Sequence, residues 1–212
     1  MQNQNLYVIT GGPGSGKTTL LEELGKQGFK FAPEVARQII QEQMRHGGKA
    51  LPWEDRELYT KLMLEWSVAA YKAHESITTP MFLDRGIPDT LCYARLIGLH
   101  DDKSIRDACK QYRYATQVFI APPWKEIYKT DSERKQDFEE AIKTYELMAG
   151  VYKECGYELI ELPKATSKMR AKFILKTLNL KRGKNLTLYR QQRHPCRNQN
   201  GRQPAATVHA LV

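Results

Sequence analysis

A stretch close to the amino end, GGPGSGKTTL, begins at Gly11 and contains the residue types that bind phosphate groups. Its spacing follows the pattern G-x-x-x-x-G-K-[ST], with a short apolar run before it and a helical pattern after it. Glycines let the backbone turn its N–H groups inward around phosphate oxygens, and the first amides of the following helix add positive potential. We expect Lys17 to reach the β- and γ-phosphates and the Thr18 hydroxyl to bind Mg²⁺. The predicted nucleotide-binding residues are Gly11, Gly12, Pro13, Gly14, Ser15, Gly16, Lys17, Thr18 and Thr19.

Phosphoryl transfer also needs a second acid for the metal ion, and Asp84 ends the apolar run FLD of residues 82–84. Ligands of open α/β sheets bind at the carboxyl ends of strands, so we expect Asp84 to hold Mg²⁺ together with Thr18. The alternative is that Asp84 only caps the turn that follows it. The pair Asp84-Arg85 resembles the Asp/Glu-Arg pair of nucleoside and nucleotide kinases, which implies that Arg85 contacts phosphate. The alternative is that Arg85 is a structural partner of Asp89 or a surface residue.

Mobile cations close over the γ-phosphate in many enzymes that transfer phosphoryl groups. The segment of residues 129–135 (KTDSERK) lies between the fourth predicted strand and a helix, and within it Arg134 is the first candidate for such a lid and Lys135 the second. A solvated charged face at the start of a helix is the alternative. The predicted catalytic residues are Lys17, Asp84, Arg85 and Arg134.

Short apolar runs alternate with segments of helical period, which is the pattern of an α/β fold with a parallel sheet. The predicted strands are residues 6–10, 29–31, 81–84, 117–121 and 157–162. The predicted helices are residues 17–27, 34–44, 53–76, 89–97, 103–115, 132–155 and 167–178. Together they predict one doubly wound domain over residues 1–180. Residues 163–166 follow the last strand, and we expect them to lie near the base of the nucleotide. The sequence at this position does not distinguish ATP from GTP.

The formal net charge of +9 is concentrated at the carboxyl end. Residues 181–212 carry seven Lys and Arg residues and no Asp or Glu, and they contain few apolar residues. A segment with so few apolar residues buries too little apolar surface to offset the conformational entropy that it would lose on folding. We therefore expect residues 181–212 to be a mostly disordered basic tail or an atypical extension of the domain. Nucleic acid or an anionic membrane is a possible partner of this tail through salt-sensitive phosphate contacts, although no base-reading pattern accompanies the charges.

The remaining composition excludes several classes of protein. The four cysteines are far apart and show no metal-ligand spacing, so reduced thiols are expected and a zinc site is not. No run of residues is apolar and long enough to span a membrane, and the amino end shows no targeting pattern. A cytoplasmic protein with no transmembrane segment is therefore expected.

The order of these motifs resembles P-loop kinase-like predicted ATPases of the AAA type, relatives of the ribosylnicotinamide kinase domain of bacterial NAD-regulator proteins. The resemblance extends from residue 6 to residue 178. It depends on GGPGSGKTTL, PEVAR (33–37), FLDRGIPDTLCYA (82–94), APPW (121–124) with Arg134 downstream, and YELIELP (157–163) with Arg170 in the last helix.

The resemblance implies a three-layer P-loop NTPase fold like that of the nucleotide kinases, with five parallel strands in the order 2-3-1-4-5. It also implies a pocket for an acceptor molecule, with Glu34 and Arg37 on one side and Asp89, Tyr93 and Arg95 on the other. Its members include small-molecule kinases, ATPases, and animal relatives that resemble GTP- and phospholipid-binding regulators.

Two functions are therefore predicted. The first is an Mg²⁺-dependent kinase or ATPase that uses ATP, with GTP as the alternative, and transfers phosphate to a nucleoside-like or other small metabolite. The second is a nucleotide-dependent regulatory module with no small-molecule acceptor. An open, polar pocket around Glu34, Arg37 and Asp89 would favour the kinase, and a pocket sealed by packed side chains would favour the regulatory module.

Overall fold

The structure is a computed structural model that describes residues 2–99, 103–127 and 138–181. Five parallel strands form one sheet in the order β2-β3-β1-β4-β5. The strands are β1 (Leu6–Gly11), β2 (Lys30–Ala32), β3 (Met81–Asp84), β4 (Gln117–Ala121) and β5 (Glu158–Glu161). This confirms the predicted α/β class and strand order.

Seven α-helices are found in the described residues. They are α1 (Lys17–Lys26), α2 (Val35–His46), α3 (Arg56–His74), α4 (Ile87–Leu96), α5 (Lys103–Gln111), α6 (Phe138–Glu154) and α7 (Ser167–Thr177), and a short 3-10 turn spans Lys125–Ile127. No described helix is both apolar enough and long enough to cross a bilayer.

The sheet has an apolar core on each face because its central strands are buried on both sides, as is usual for parallel sheets. On one face, Leu6, Val8 and Leu83 pack with residues of α4, α5 and α6. On the other face, Ile9 and Phe82 pack with residues of α1 and α7. A third, smaller cluster joins α2 to α3. The two large cores hold β1 and β3 at the centre of the molecule, and both strands end at the candidate site.

Several helix boundaries differ from the prediction for identifiable reasons. Helix α3 begins at Arg56 and not at residue 53, because the Asp55 side chain accepts a hydrogen bond from the Leu58 N–H at 2.9 Å and caps the helix. Helix α4 begins at Ile87, two residues early, because Pro88 is tolerated in the first turn and Asp89 accepts a hydrogen bond from the Gly86 N–H at 2.8 Å. The predicted start of α6 at residue 132 lies outside the described residues.

Candidate active site

The phosphate-binding loop starts where β1 ends, because Gly11 is the last residue of that strand and pairs with Ala121 of β4. Gly11 has a φ of 137°, and a Cβ atom built on it would lie 2.6 Å from the Ala121 carbonyl oxygen. Gly14 and Gly16 also have positive φ values, of 71° and 80°. L-residues with a side chain rarely adopt these conformations, so the loop depends on its glycines.

Lys17 is the first residue of α1, and its side chain folds back over the loop. Its Nζ donates hydrogen bonds to the carbonyl oxygens of Gly11 at 2.9 Å and Gly12 at 3.0 Å. The Ser15 hydroxyl donates to the Gly12 carbonyl at 2.8 Å, which fixes the loop from the other side. Thr18 and Thr19 are exposed in the first turn of α1. The ammonium group of Lys17 thus lies on the loop, and the hydroxyls of Thr18 and Thr19 lie in the first turn of the helix that follows it.

Arg170 of α7 supports the same loop from the far end of the chain. Its Nη1 donates to the Ser15 carbonyl at 2.7 Å, and its Nε donates to the Pro163 carbonyl at 2.9 Å. The guanidinium lies 5.2 Å from the centre of the Trp124 ring, within the range of a cation–π contact. Arg170 is almost fully buried. Arg170 is one of the residues on which the family resemblance depends, but its sequence neighbourhood does not predict a contact with the phosphate loop.

Asp84 ends β3 beside β1, with Ile9 as its register partner. Its carboxylate is buried, and Oδ1 has no hydrogen-bond partner among the described residues. Burial raises the pKa of Asp84 to about 6, Lys17 opposes this increase, and Glu34 adds to it. A buried carboxylate oxygen without a protein donor is free to bind a cation. In the turn that follows Asp84, the Gly86 N–H donates to Asp89 and not to Asp84.

Arg85 follows in the left-handed conformation, with a φ of 74°, which turns its side chain between two acids. Its Nε donates to Glu34 Oε1 at 2.9 Å and its Nη1 donates to Asp89 Oδ1 at 3.0 Å. Burial favours the neutral guanidine, but Glu34, Asp89 and Asp84 together raise the pKa of Arg85 above its usual range. The structural pairing with Asp89 that the sequence analysis considered is therefore present, and Glu34 is a second partner.

Asp89 is the centre of a buried hydrogen-bond network. Its Oδ1 accepts from the Thr10 hydroxyl at 2.7 Å as well as from Arg85. Its Oδ2 accepts from the Gly86 N–H and, at 2.5 Å, from the Tyr152 hydroxyl. Both oxygens are thus bound by donors of β1, of the turn between β3 and α4, and of α6. This network fixes the position of Arg85 relative to the phosphate loop.

A cavity of about 260 Å³ adjoins the phosphate loop, and Pro13 of the loop is one of its lining residues. Its polar side is formed by Glu34, Arg85 and Asp89, and its other walls are mostly apolar or aromatic. Tyr93, predicted for the acceptor pocket, lines this cavity. The pocket is therefore open but mostly apolar, so it shows one of the two features, open and polar, that were expected of a kinase pocket.

Two predicted pocket residues lie elsewhere. Arg37 of α2 is half-buried and is not among the described residues that line the cavity. Arg95 forms a bidentate ion pair with Glu154 of α6, with distances of 2.6 and 2.8 Å. The lid candidates Arg134 and Lys135, and almost all of the tail, lie outside the described residues.

The residues present fit a magnesium ion. Within the described residues no group of three or more His, Cys, Asp or Glu side chains could hold a metal on its own. Mg²⁺ does not need such a cage, because it is commonly bound through one or two carboxylates, substrate phosphates and water. The unpartnered Asp84 Oδ1 is a suitable carboxylate, and the exposed Thr18 hydroxyl is a suitable second ligand.

The sheet order, the phosphate loop and the acid at the end of β3 define a P-loop kinase-like protein. Residues 6–170 match the family model described as an AAA domain, and the chain belongs to that family. A search of curated proteins gave no match.

Solved structures of three kinds share the fold. A NadR protein in complex with NR is 18% identical, with a TM-score of 0.64, over 85% of this chain and 53% of the other. Thymidylate kinase from Candida albicans is 13% identical, with a TM-score of 0.60, over 82% of this chain and 92% of the other. Shikimate kinase from Acinetobacter baumannii in complex with shikimate is 14% identical, with a TM-score of 0.50, over 84% and 94%. The chain thus spans about half the length of the NadR protein, and the similarities at these identities concern the fold.

Proposed function

We propose that this protein is an Mg²⁺-dependent phosphotransferase that moves the γ-phosphoryl group of ATP to a hydroxyl group of a small molecule. The observation that carries the proposal is the open cavity of about 260 Å³ beside the phosphate loop, with an acid–arginine cluster in its wall. A protein that only binds and hydrolyses nucleotide has no need of a second open pocket at this position. The kinase-like fold of the similar structures supports the same reaction class.

The proposed division of roles follows from the contacts. The amides of the loop and Lys17 bind the phosphates, and Arg170 keeps the loop in place through Ser15. Thr18 and Asp84 hold Mg²⁺, which when bound neutralises charge on the phosphate oxygens. Glu34 lines the cavity, so its carboxylate is placed to orient the acceptor hydroxyl and take its proton. Arg85, held by Glu34 and Asp89, faces the same cavity and stabilises negative charge that develops during transfer.

Arg134 and Lys135 complete the proposal as lid residues that bring further positive charge to the γ-phosphate. The basic tail of residues 181–212 would act independently of this site. Its composition supports only a salt-sensitive attachment to nucleic acid or an anionic membrane, as an addition to the enzyme and not in place of it.

The test is ATP or GTP consumption by the full chain with Mg²⁺, with and without a panel of hydroxyl-bearing metabolites. We expect one class of metabolite to stimulate turnover at least tenfold and to gain a phosphoryl group detectable by mass spectrometry. Lys17→Ala should lose this activity together with nucleotide binding, whereas Glu34→Gln should keep nucleotide binding and lose transfer. Tight nucleotide binding with slow hydrolysis, and no stimulation by any metabolite, would instead support the regulatory module.

A further inference from the structure

Two cysteines meet in a second pocket, which shares no lining residue with the cavity beside the phosphate loop. This pocket has a volume of about 130 Å³, and both Cys109 and Cys155 line it. Cys109 is buried on α5, whereas Cys155 follows the last residue of α6 and is half-buried. The Cys109 thiol donates a hydrogen bond to the sulfur of Cys155, so the two side chains are in contact although they belong to different elements.

Positive charge surrounds the half-buried thiol. The charged residues that line the pocket are three bases and one acid: Arg106, Lys110, Arg113 and Glu154. The Nη1 atom of Arg113 donates to the Cys155 carbonyl oxygen at 2.6 Å, and its guanidinium lies 4.0 Å from the centre of the Tyr157 ring. These two contacts hold the guanidinium beside Cys155, where a positive charge stabilises a thiolate.

The two thiols of the pair differ in acidity. The hydrogen bond from Cys109 is the main factor that lowers the pKa of Cys155, and the charges of Arg113 and Arg95 lower it further, whereas burial and Glu154 oppose this. The same hydrogen bond raises the pKa of Cys109, and burial adds to that increase. Because the thiolate and not the thiol is the nucleophile, Cys155 is the reactive member of the pair and Cys109 keeps its proton.

Cys92 provides a contrast within the same protein. It is buried on α4, and burial together with Asp89 raises its pKa to about 12. Cys92 therefore stays a thiol at neutral pH and acts as a small apolar residue of the core. Among the described cysteines, partial exposure, positive charge and a neighbouring thiol occur together at Cys155.

We propose that Cys155 is a site of reversible oxidation by peroxides, and that Cys109 converts the oxidised residue to a disulfide joining α5 to the end of α6. The Cys155 thiolate attacks one oxygen of hydrogen peroxide, the O–O bond breaks, and the released hydroxide takes a proton from solvent. Cys109 then attacks the sulfur of the sulfenic acid, an S–S bond forms, and the departing hydroxide leaves as water with the Cys109 proton. The two thiols lose two electrons and the peroxide is reduced to two water molecules.

The hydrogen bond between the thiols favours this order of events. While Cys155 is a thiolate, it holds the proton on Cys109, and this contact is the largest cause of the raised pKa of Cys109. Formation of the sulfenic acid removes the negative charge from Cys155, so Cys109 loses its proton more readily once there is a product to attack. A dithiol reductant reverses the step by attacking the disulfide. None of this chemistry depends on the function proposed above.

Peptide mapping of the full chain tests the proposal. Trypsin places the four cysteines in four peptides, which are residues 86–95, 107–110, 154–164 and 194–197. The folded protein is treated with a small excess of hydrogen peroxide, alkylated and digested without reductant. We expect peptide 107–110 linked to peptide 154–164 to exceed every other disulfide by about tenfold or more, and to disappear with dithiothreitol. A main disulfide that contains Cys92 or Cys196, or four cysteines left as thiols, would overturn the proposal.

Serine variants separate the two roles. In Cys109→Ser the hydroxyl can still donate to Cys155 but cannot form a disulfide, so labelling of Cys155 by dimedone, a reagent for sulfenic acids, should increase several-fold. In Cys155→Ser, Cys109 should stay an alkylatable thiol. Labelling of Cys155 in Cys109→Ser that equals that of the natural protein would contradict the role of Cys109.

Oxidation in urea is the control for the fold and needs no variant. The unfolded chain no longer brings Cys109 to Cys155, so the preference for this pair should be lost and other disulfides should form. The same preference in urea would show that the pocket does not direct the reaction and would overturn the proposal.

Discussion

Asp84 illustrates what a single residue contributes to this site. Its carboxylate is held in a place where both burial and neighbouring acids oppose ionisation, and only Lys17 and Arg85 favour it. Such an arrangement costs stability in the free protein and is useful only when a cation takes up the charge. The sequence predicts a metal-binding role for Asp84 because an acid follows a short apolar run, FLD, at the carboxyl end of a strand.

The pKa of Asp84 leads to a prediction about stability. Its folded pKa of about 6 is above its unfolded value of about 4, so the folded protein gains relative stability as the pH falls below about 6 and loses it as the pH rises through 6. Without Mg²⁺ and nucleotide, Asp84→Asn should therefore be more stable than the natural protein at pH 8, by about 2–3 kcal/mol. The difference should shrink as the pH falls from 6 to 4.

Urea unfolding at pH 8 and pH 5 measures this difference. The control is Asp107→Asn, because Asp107 is exposed on α5 and its replacement should change stability little at either pH. A loss of stability in Asp84→Asn at pH 8 would mean that the positive charges of Lys17 and Arg85 already outweigh the cost of burying the ionised carboxylate. The same variant should lose Mg²⁺-dependent turnover.

Other residues of the site could not be predicted in the same way. Tyr152 and Arg170 are on helices, and nothing in the adjacent sequence distinguishes them from other residues of an amphipathic helix. Their roles arise because α6 packs beside Asp89 and α7 beside the phosphate loop. The pairing of Glu34 with Arg85 likewise joins residues 51 positions apart. A sequence pattern reports local requirements, whereas these contacts follow from how the elements pack.

At the scale of elements, the junction of β1 and β4 sets the geometry of the phosphate loop. Gly11 is both the last paired residue of β1 and the first residue of the loop motif. The sequence predicted that β1 stops at residue 10, because glycine is unfavourable in a strand. The structure extends the strand by one residue, since the backbone of Gly11 pairs with Ala121 and only a residue without Cβ can approach so closely.

Gly11→Ala should therefore be strongly destabilising, by about 3 kcal/mol or more, because a contact with the main chain of β4 adds to the cost of a positive φ. Gly47→Ala is the matched control: Gly47 also has a positive φ, of 66°, but a Cβ there meets nothing within 4 Å. It should cost about 1–2 kcal/mol. Chemical denaturation of the two variants gives the comparison, and equal losses would show that the contact with Ala121 relaxes without cost.

At the scale of the whole molecule, the chain that follows α7 still packs on the core of the domain as far as Leu180. Leu180 donates its backbone N–H to the Leu175 carbonyl at 2.8 Å, and Leu178 and Leu180 pack on the core formed by α1 and α7. The match to the AAA domain family ends at residue 170, just inside that helix. The division of the chain after residue 180 and the role of the basic tail stay predictions.

Deletion of residues 182–212 tests that division. We expect the shortened chain to keep the melting temperature and the nucleotide affinity of the full chain, because the cores of the sheet involve residues up to Leu180. Binding of RNA and of anionic vesicles, measured at low and moderate salt, should fall to that of an uncharged control protein if the segment is an attachment site. A large drop in melting temperature would show that the segment belongs to the folded domain.

The contact between Arg170 and Ser15 forms only after α7 has been synthesised. The two residues are 155 positions apart, so the phosphate loop receives its arginine support only after a further 155 residues have been synthesised. At 5–20 residues per second this interval is about 8–31 s. A nascent chain should therefore acquire its affinity for ATP late and abruptly, after α7 has emerged from the exit tunnel.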